Sequence, residues 1–154
     1  MVSGMTPQRT IGRSTTERSS VTVSGNGIAE TGDCGRSASG DGGRSLTGEM
    51  GVAITGDGGM AVAGDHGHAV SGDRGVSVAG ARGVAIAGVG GAAQAGAEGS
   101  IAIAGVDPSG VRYMVVADID PTTGPSSDHL YALSGHRFVP VYPPRAIGEG
   151  ESVA

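Results

Sequence analysis

Residues 52–67 read Val-Ala-Ile-Thr-Gly-Asp-Gly-Gly-Met-Ala-Val-Ala-Gly-Asp-His-Gly. They contain two octads, and each octad is a four-residue segment followed by a corner of the form Gly-Asp-x-Gly. The first corner glycine recurs every eighth residue from Gly32 to Gly96, and the second does so from Gly27 to Gly99. A short period over this many copies is typical of a stacked repeat architecture.

The four-residue segment alternates in side-chain size. Its second and fourth positions are almost always Ala, Ser or Thr, and alternation over four residues predicts a short strand. The corner sequence is typical of a tight turn. Glycine admits positive φ, and the Asp side chain can form a hydrogen bond with the backbone two residues further on. Strand, turn, strand, turn predicts an all-β fold, a β-solenoid. Branched aliphatic residues occupy the third position, at Leu46, Ile54, Val62, Val70, Val78 and Ile86.

The corners indicate how many octads form one coil. The residue between Asp and the second glycine is glycine at alternate octads, at Gly42, Gly58 and Gly90, and Arg74 is the one interruption. Two unlike corners that alternate predict a coil of two octads, which is about 16 residues.

The alternation leaves two choices for the face that lies inside. We expect the third-position aliphatics to face inward, with Ala, Ser and Thr forming flat outward faces. Copies of the chain would then stack through residues such as Ala79, Ala87 and Ala95. The alternative places the small residues inside and the aliphatics outside, and it would expose apolar stripes that require a partner.

The sequence suggests four segments. Residues 1–19 are polar and are predicted to be flexible, and residues 20–105 form the octapeptide-repeat solenoid. Residues 106–145 are predicted to be a cap of one strand and a β-hairpin, because strand-like residues flank Ser134-Gly135-His136-Arg137. This segment holds all three Tyr and the one Phe, whose size suits the covering of an open end. Residues 146–154 are predicted to be a flexible tail.

Composition narrows the classes of partner. The net charge of −5 argues against nucleic acid, since phosphate binding needs a basic face. No segment has the length and hydrophobicity of a signal peptide or a membrane span, so we expect a cytoplasmic location and no membrane partner. The single cysteine, Cys34, excludes an intramolecular disulfide and a cysteine-based zinc site.

Two families share this pattern over residues 20–105. Gly80-Ala81-Arg82-Gly83-Val84-Ala85-Ile86-Ala87-Gly88 resembles the octapeptide repeat of bacterial ice-nucleation proteins, in which pairs of octads form one coil. Ser100-Ile101-Ala102-Ile103 is similar to the head repeats of trimeric autotransporter adhesins. The chain departs from both. It lacks the regular Thr-x-Thr pairs of the first family, and it shows neither the export signal nor the membrane anchor of the second.

The acidic corner residues are the first candidates for chemistry. On a 16-residue coil, Asp41, Asp57 and Asp73 stack along one edge. Carboxylates and turn carbonyls are the ligands of calcium, so these three are candidates for a calcium site. The alternative is a solvated Asp that only forms the turn. We find no catalytic constellation, and we therefore expect a protein without enzymatic activity or cofactor.

The cap supplies the candidates for partner binding. They are Tyr113, Asp118, Asp120, His129, Tyr131, His136 and Arg137. The leading hypothesis is a cytosolic immunity protein or antitoxin, whose acidic surface occludes a toxin's active site. The alternative is a self-assembling structural or surface solenoid (a fibre, a phage appendage or an adhesin-like protein) that forms homo-oligomers through the Ala, Ser and Thr faces. Ice binding is a third hypothesis.

Overall fold

The fold was obtained as a computed structural model, which describes residues 10–120, 122–127 and 129–141. These residues form strands joined by tight corners, and they contain no helix. In chain order the strands are β1 (Ile11–Ser14), β2 (Ser20–Val23), β3 (Ile28–Thr31), β4 (Arg36–Ser39), β5 (Arg44–Leu46), β6 (Val52–Thr55), β7 (Met60–Ala63), β8 (His68–Val70), β9 (Val76–Ala79), β10 (Val84–Ala87), β11 (Ala92–Gln94), β12 (Ser100–Val106), β13 (Arg112–Asp118), β14 (Leu130–Ser134) and β15 (Arg137–Val141).

Alternate strands belong to opposite sheets. Sheet A has the order β1-β3-β5-β7-β9-β11-β14-β15, and sheet B has the order β13-β12-β10-β8-β6-β4-β2. Strands of successive coils pair in parallel with a shift of 16 residues, as where Val52 pairs with His68 and His68 with Val84. The prediction of a β-solenoid with two octads per coil is confirmed, and the stack has about six turns.

The stack begins earlier than the sequence suggested. β1 lies inside the segment predicted to be flexible, and it pairs in parallel with β3 from Ile11 opposite Ile28. Residues 1–9 of that segment lie outside the described residues, and so does the predicted tail at 146–154.

The register expected from side-chain size is wrong, and the alternative is correct. The second and fourth positions face inward, so that Ala53 and Ala61 are fully buried, whereas the third-position Ile54 is 44% exposed. Ala79, Ala87 and Ala95 are also buried, so the predicted stacking face of Ala, Ser and Thr lies inside the coils.

The reason is that the interior is very thin. The Ser45 hydroxyl of sheet A donates a hydrogen bond of 2.6 Å to the carbonyl oxygen of Ile54 in sheet B. Ser77 makes the equivalent bond of 2.5 Å to Ile86. At these two positions a side chain with one carbon and one oxygen spans the space between the two backbones, which leaves no room for a longer aliphatic side chain.

The corner glycines are required by close approach rather than by positive φ. A Cβ on Gly59 would lie 2.7 Å from the Cβ of Thr55 and 3.0 Å from the carbonyl oxygen of Gly43 in the preceding coil. Positive φ falls instead on the third corner residue, and non-glycine residues adopt it as well, as at His66 with φ of 57°. Glycine is therefore required at the first and second corner positions because the backbone packs closely there.

The interior widens at the C-terminal end. In β12 the large residues occupy the second and fourth positions, and Ile101 and Ile103 are fully buried there. Here β13 pairs antiparallel with β12, and β14 pairs antiparallel with β11. Ile119 and Tyr131 complete the buried cluster under this cap. The predicted hairpin cap is confirmed, and its turn contains Gly135 with φ of 60°.

The thin interior can be tested by enlarging an inward-facing side chain. Replacing Ala61 by Leu (Ala61→Leu) inserts three carbons between the sheets and is expected to lower the free energy of unfolding by about 1–3 kcal/mol or more. Val62→Leu, one residue along on the outward face, is expected to change it by less than about 0.5 kcal/mol. Urea unfolding followed by circular dichroism measures both, and equal effects would contradict the assignment of the two faces.

Candidate interaction surfaces

The outward faces of the two sheets carry the largest side chains of the coils. The first and third strand positions share one side of each strand, since successive residues alternate across it. Within sheet B these positions form two columns, which together we call face B. Its third-position column contains Ala38, Ile54, Val70, Ile86, Ala102 and Val116, and its first-position column contains Arg36, Val52, His68, Val84, Ser100 and Asp118.

On face B the third-position column is aliphatic throughout, and the first-position column beside it contains charged, polar and aliphatic residues. Val116 is 63% exposed and Met114, further along β13, is 55% exposed, so the apolar surface continues onto the cap strand. Ala102, between Ile86 and Val116, is only 5% exposed. The face is therefore uneven along the solenoid axis, with protruding residues at Ile54 and Val116 and a low point at Ala102.

Sheet A carries a second apolar surface, which we call face A. Ile28, Glu30, Arg44, Leu46, Met60 and Val62 line a groove of about 310 Å³ on it. Towards the N-terminal end, Arg13 pairs with Glu30. At the other end, the Gln94 side chain donates to the carbonyl oxygen of Ser127 at 3.2 Å. The third-position column of face A is thus apolar only in the middle coils, whereas its first-position column continues to the exposed Ile11 at the N-terminal end.

The aspartates of the corners, which we call the acidic ladder, form hydrogen bonds from one coil to the next. Oδ1 of Asp41 accepts from the backbone N–H of Asp57 at 2.9 Å, and Oδ1 of Asp57 accepts from Asp73 at 2.8 Å. Asp73 in turn accepts from Val89 at 2.9 Å. The second edge follows the same rule, because Asp65 accepts from Ala81. Each of these four aspartates therefore satisfies the corner N–H sixteen residues further on.

This bonding bears on the calcium candidates. The Oδ1 atoms of Asp41, Asp57 and Asp73 all hold amide donors, which a cation would have to share. Among the described residues, no group of three or more His, Cys, Asp or Glu side chains is close enough to hold a metal ion. Calcium binding by these three residues stays a prediction.

The seven cap candidates do not form one site. Tyr113 and His136 come together, with rings stacked at 4.2 Å, and the Tyr113 hydroxyl donates to the carbonyl oxygen of Gly135 at 2.8 Å. They line one side of a cleft of about 420 Å³ between the β12–β13 turn and the hairpin. Arg137 is exposed at the start of β15.

The other cap candidates make internal contacts. Tyr131 is buried, and its hydroxyl accepts from the backbone N–H of Ser126 at 2.7 Å. The ring of His129 lies 6.2 Å from that of Tyr131. Asp118 accepts from the Ser100 hydroxyl at 2.6 Å, which joins β13 to β12 on face B.

Asp120 organises the turn that follows β13. Its carboxylate accepts from the hydroxyl of Thr123 and from the backbone N–H and hydroxyl of Thr122. These bonds favour the charged form, and they lower the pKa of Asp120 from 3.8 to about 2, with the Thr123 hydroxyl contributing most.

Sequence reasoning missed the outward columns as the candidate site, although a signal was present. The first and third positions share one face, and the first position holds charged or polar residues such as Arg36, Arg44 and His68. A face that accommodates arginine on successive coils lies outside.

No helix of the described residues has the length and apolar character that crossing a bilayer requires. No family model, curated protein or solved structure matches the chain. The two resemblances noted above therefore remain similarities of repeat pattern.

The acidic ladder leads to a stability test. Asp57→Ala removes the acceptor of the Asp73 N–H and is expected to lower the free energy of unfolding by about 1 kcal/mol. Asp57→Asn keeps an acceptor oxygen and is expected to cost less. Equal losses for the two variants in urea unfolding would argue that the hydrogen bond contributes little. Calcium added to the wild type tests the other role, because specific binding would raise Tm.

The Asp120 turn leads to a pH test. Since its pKa is depressed, Asp120 stabilises the turn above about pH 4, and this contribution is lost as the pH falls towards 2. The amide resonance of Thr122, followed by NMR, is expected to report this titration. Thr123→Ala is expected to move the midpoint upward, and an unchanged midpoint would show that the hydroxyl does not set the pKa.

Proposed function

We propose that this chain is a non-enzymatic structural β-solenoid that associates with further copies of itself through its outward sheet faces. The observation that supports this is the placement of the aliphatic residues. Ile54, Met60 and Val116 are exposed, while from β3 to β11 the space between the sheets is filled by Ala, Ser and Thr. A fold with its larger apolar side chains outside retains hydrophobic surface that association can bury.

The geometry of the faces suits stacking. Their strands are parallel and in register, so side chains of one position form straight columns. Sheets with such columns pack face to face at about 10 Å. Because both sheets carry apolar columns, one copy has two surfaces through which to contact neighbours, and these allow open-ended assemblies as well as closed ones.

The immunity-protein hypothesis receives less support from the site. It depends on the net charge of −5 and on the cap residues. Several of those residues make contacts within the cap, and the acidic ladder is hydrogen bonded between coils. It stays a prediction, with the cleft beside Tyr113 and His136 as its candidate site.

Ice binding also receives little support. Thr31, Thr47 and Thr55 occupy fourth positions and point into the interior of the coils. Their hydroxyls are therefore not arranged on an outer surface.

Sedimentation velocity over a wide range of concentrations tests the proposal. The wild type is expected to sediment as species larger than a monomer, and the fraction is expected to rise with concentration. Val62→Lys on face A and Ile86→Lys on face B are expected to reduce association, because each places a charge in an apolar contact.

A matched control distinguishes the faces from a general effect of charge. Thr22→Lys introduces the same side chain at an outward third position of sheet B, beyond the aliphatic column. It is expected to leave association unchanged. A wild type that stays monomeric at every concentration would overturn the proposal and favour a partner of another kind.

A further inference from the structure

We propose that face B pairs with face B of a second copy, with the two solenoid axes antiparallel and Arg36 of one copy opposite Asp118 of the other. This inference rests on the proposed function and names the surface and the arrangement that it uses. Both residues are exposed first-position residues of sheet B, at opposite ends of one column.

The symmetry follows from the columns. A two-fold axis that lies between the copies and runs along the strands keeps the first-position column over itself and reverses the order of coils. With the axis midway between β8 and β10, β4 lies over β13, β6 over β12 and β8 over β10. Each contact then occurs twice.

Charge complementarity selects this register. Arg36 on β4 meets Asp118 on β13, and they are the only Lys, Arg, Asp or Glu residues in the described part of the two columns between those strands. Asp118 uses Oδ1 to accept from Ser100, and its second carboxylate oxygen is not engaged in that bond. Two Arg–Asp pairs therefore mark the two ends of the paired surfaces.

Side-chain size agrees with the same register. In the third-position column, the exposed Val116 meets the small Ala38, and the exposed Ile54 meets the recessed Ala102. Val70 meets Ile86 near the centre. In the two outer contacts a protruding residue thus faces a small one, as close packing of two surfaces requires.

The other possible two-fold arrangement pairs the charged residues less favourably. An axis along the solenoid would keep the coil order and place each first-position residue over a third-position residue of the same coil. Arg36 would then lie on Ala38, and Asp118 on Val116, so that both charges would lose solvent without gaining a partner.

The area of face B limits the affinity expected for the dimer. Six strands at about 4.8 Å and four residues at about 3.3 Å span about 24 Å by 13 Å. A stable interface buries about 800 Å² per partner, which is more than such a face provides. We therefore expect a weak dimer that dissociates on dilution and at high salt.

A charge-swap series tests the pairing. Arg36→Glu and Asp118→Arg each create two like-charged contacts per dimer and are expected to raise the dimer Kd about tenfold or more. The double variant Arg36→Glu/Asp118→Arg restores opposite charges and is expected to return Kd towards the wild-type value. Arg44→Glu, at the same position of sheet A, is the matched control and is expected to have no effect on this pairing.

Cross-linking provides a second measurement. In a Cys34→Gly background, which removes the one native thiol at a corner position that glycine also occupies, Ala38→Cys and Val116→Cys proteins are mixed. Packed sheets lie about 10 Å apart, too far for a direct disulfide, so a short bismaleimide is used. It is expected to join Ala38→Cys to Val116→Cys, whereas Val116→Cys alone is not joined to a second Val116→Cys, because the two copies of β13 lie about 24 Å apart along the paired faces.

The outcomes separate this inference from the proposed function. Failure of the double variant to restore association, or cross-linking of Val116→Cys to itself as efficient as its cross-linking to Ala38→Cys, would overturn the antiparallel pairing through face B. If the wild type associates and only Val62→Lys disrupts it, the pairing is wrong and self-association occurs through face A. A monomeric wild type overturns both.

Discussion

The distance between the two sheets is the constraint on which the rest of the structure depends. A serine hydroxyl on β5 reaches a backbone carbonyl on β6, and from β3 to β11 the inward positions are filled by Ala, Ser and Thr. The same closeness at the corners excludes a Cβ from positions such as Gly56 and Gly59. It also sends the valines and isoleucines outward, since each strand has only two faces.

Cohesion between coils therefore depends strongly on polar contacts. Backbone hydrogen bonds join each strand to the next coil, and the aspartates extend this bonding around the corners, as where Asp41 holds the N–H of Asp57. Among the described residues, the largest fully buried apolar side chains are at the C-terminal end, where Ile101 and Ile103 pack with Tyr131 under the cap. Most of the coil aliphatics thus remain available for contacts with other molecules, and this links the fold to the proposed function.

The outward columns were not predicted as a candidate surface, for an identifiable reason. The usual rule places larger apolar residues inside, and here it selected the wrong face. Arg36, Arg44 and His68 share a face with the aliphatic ladder and could have corrected the choice. The cap candidates were chosen by residue type, which does not reveal that Tyr131 is buried or that Tyr113 bonds Gly135. Such contacts join residues distant in sequence, so they depend on the folded chain.

The sequence by itself determined the repeat, the strands, the two octads per coil and the hairpin over residues 130–141, because glycine spacing and alternation are local properties of the chain. Alternation also determined that Ala53 and Thr55 share one face, opposite Val52 and Ile54. Only the tertiary structure decided which of these faces is internal. That choice is made by the space left between two sheets once the corners have closed, and this space is a property of the stacked coils rather than of any one octad.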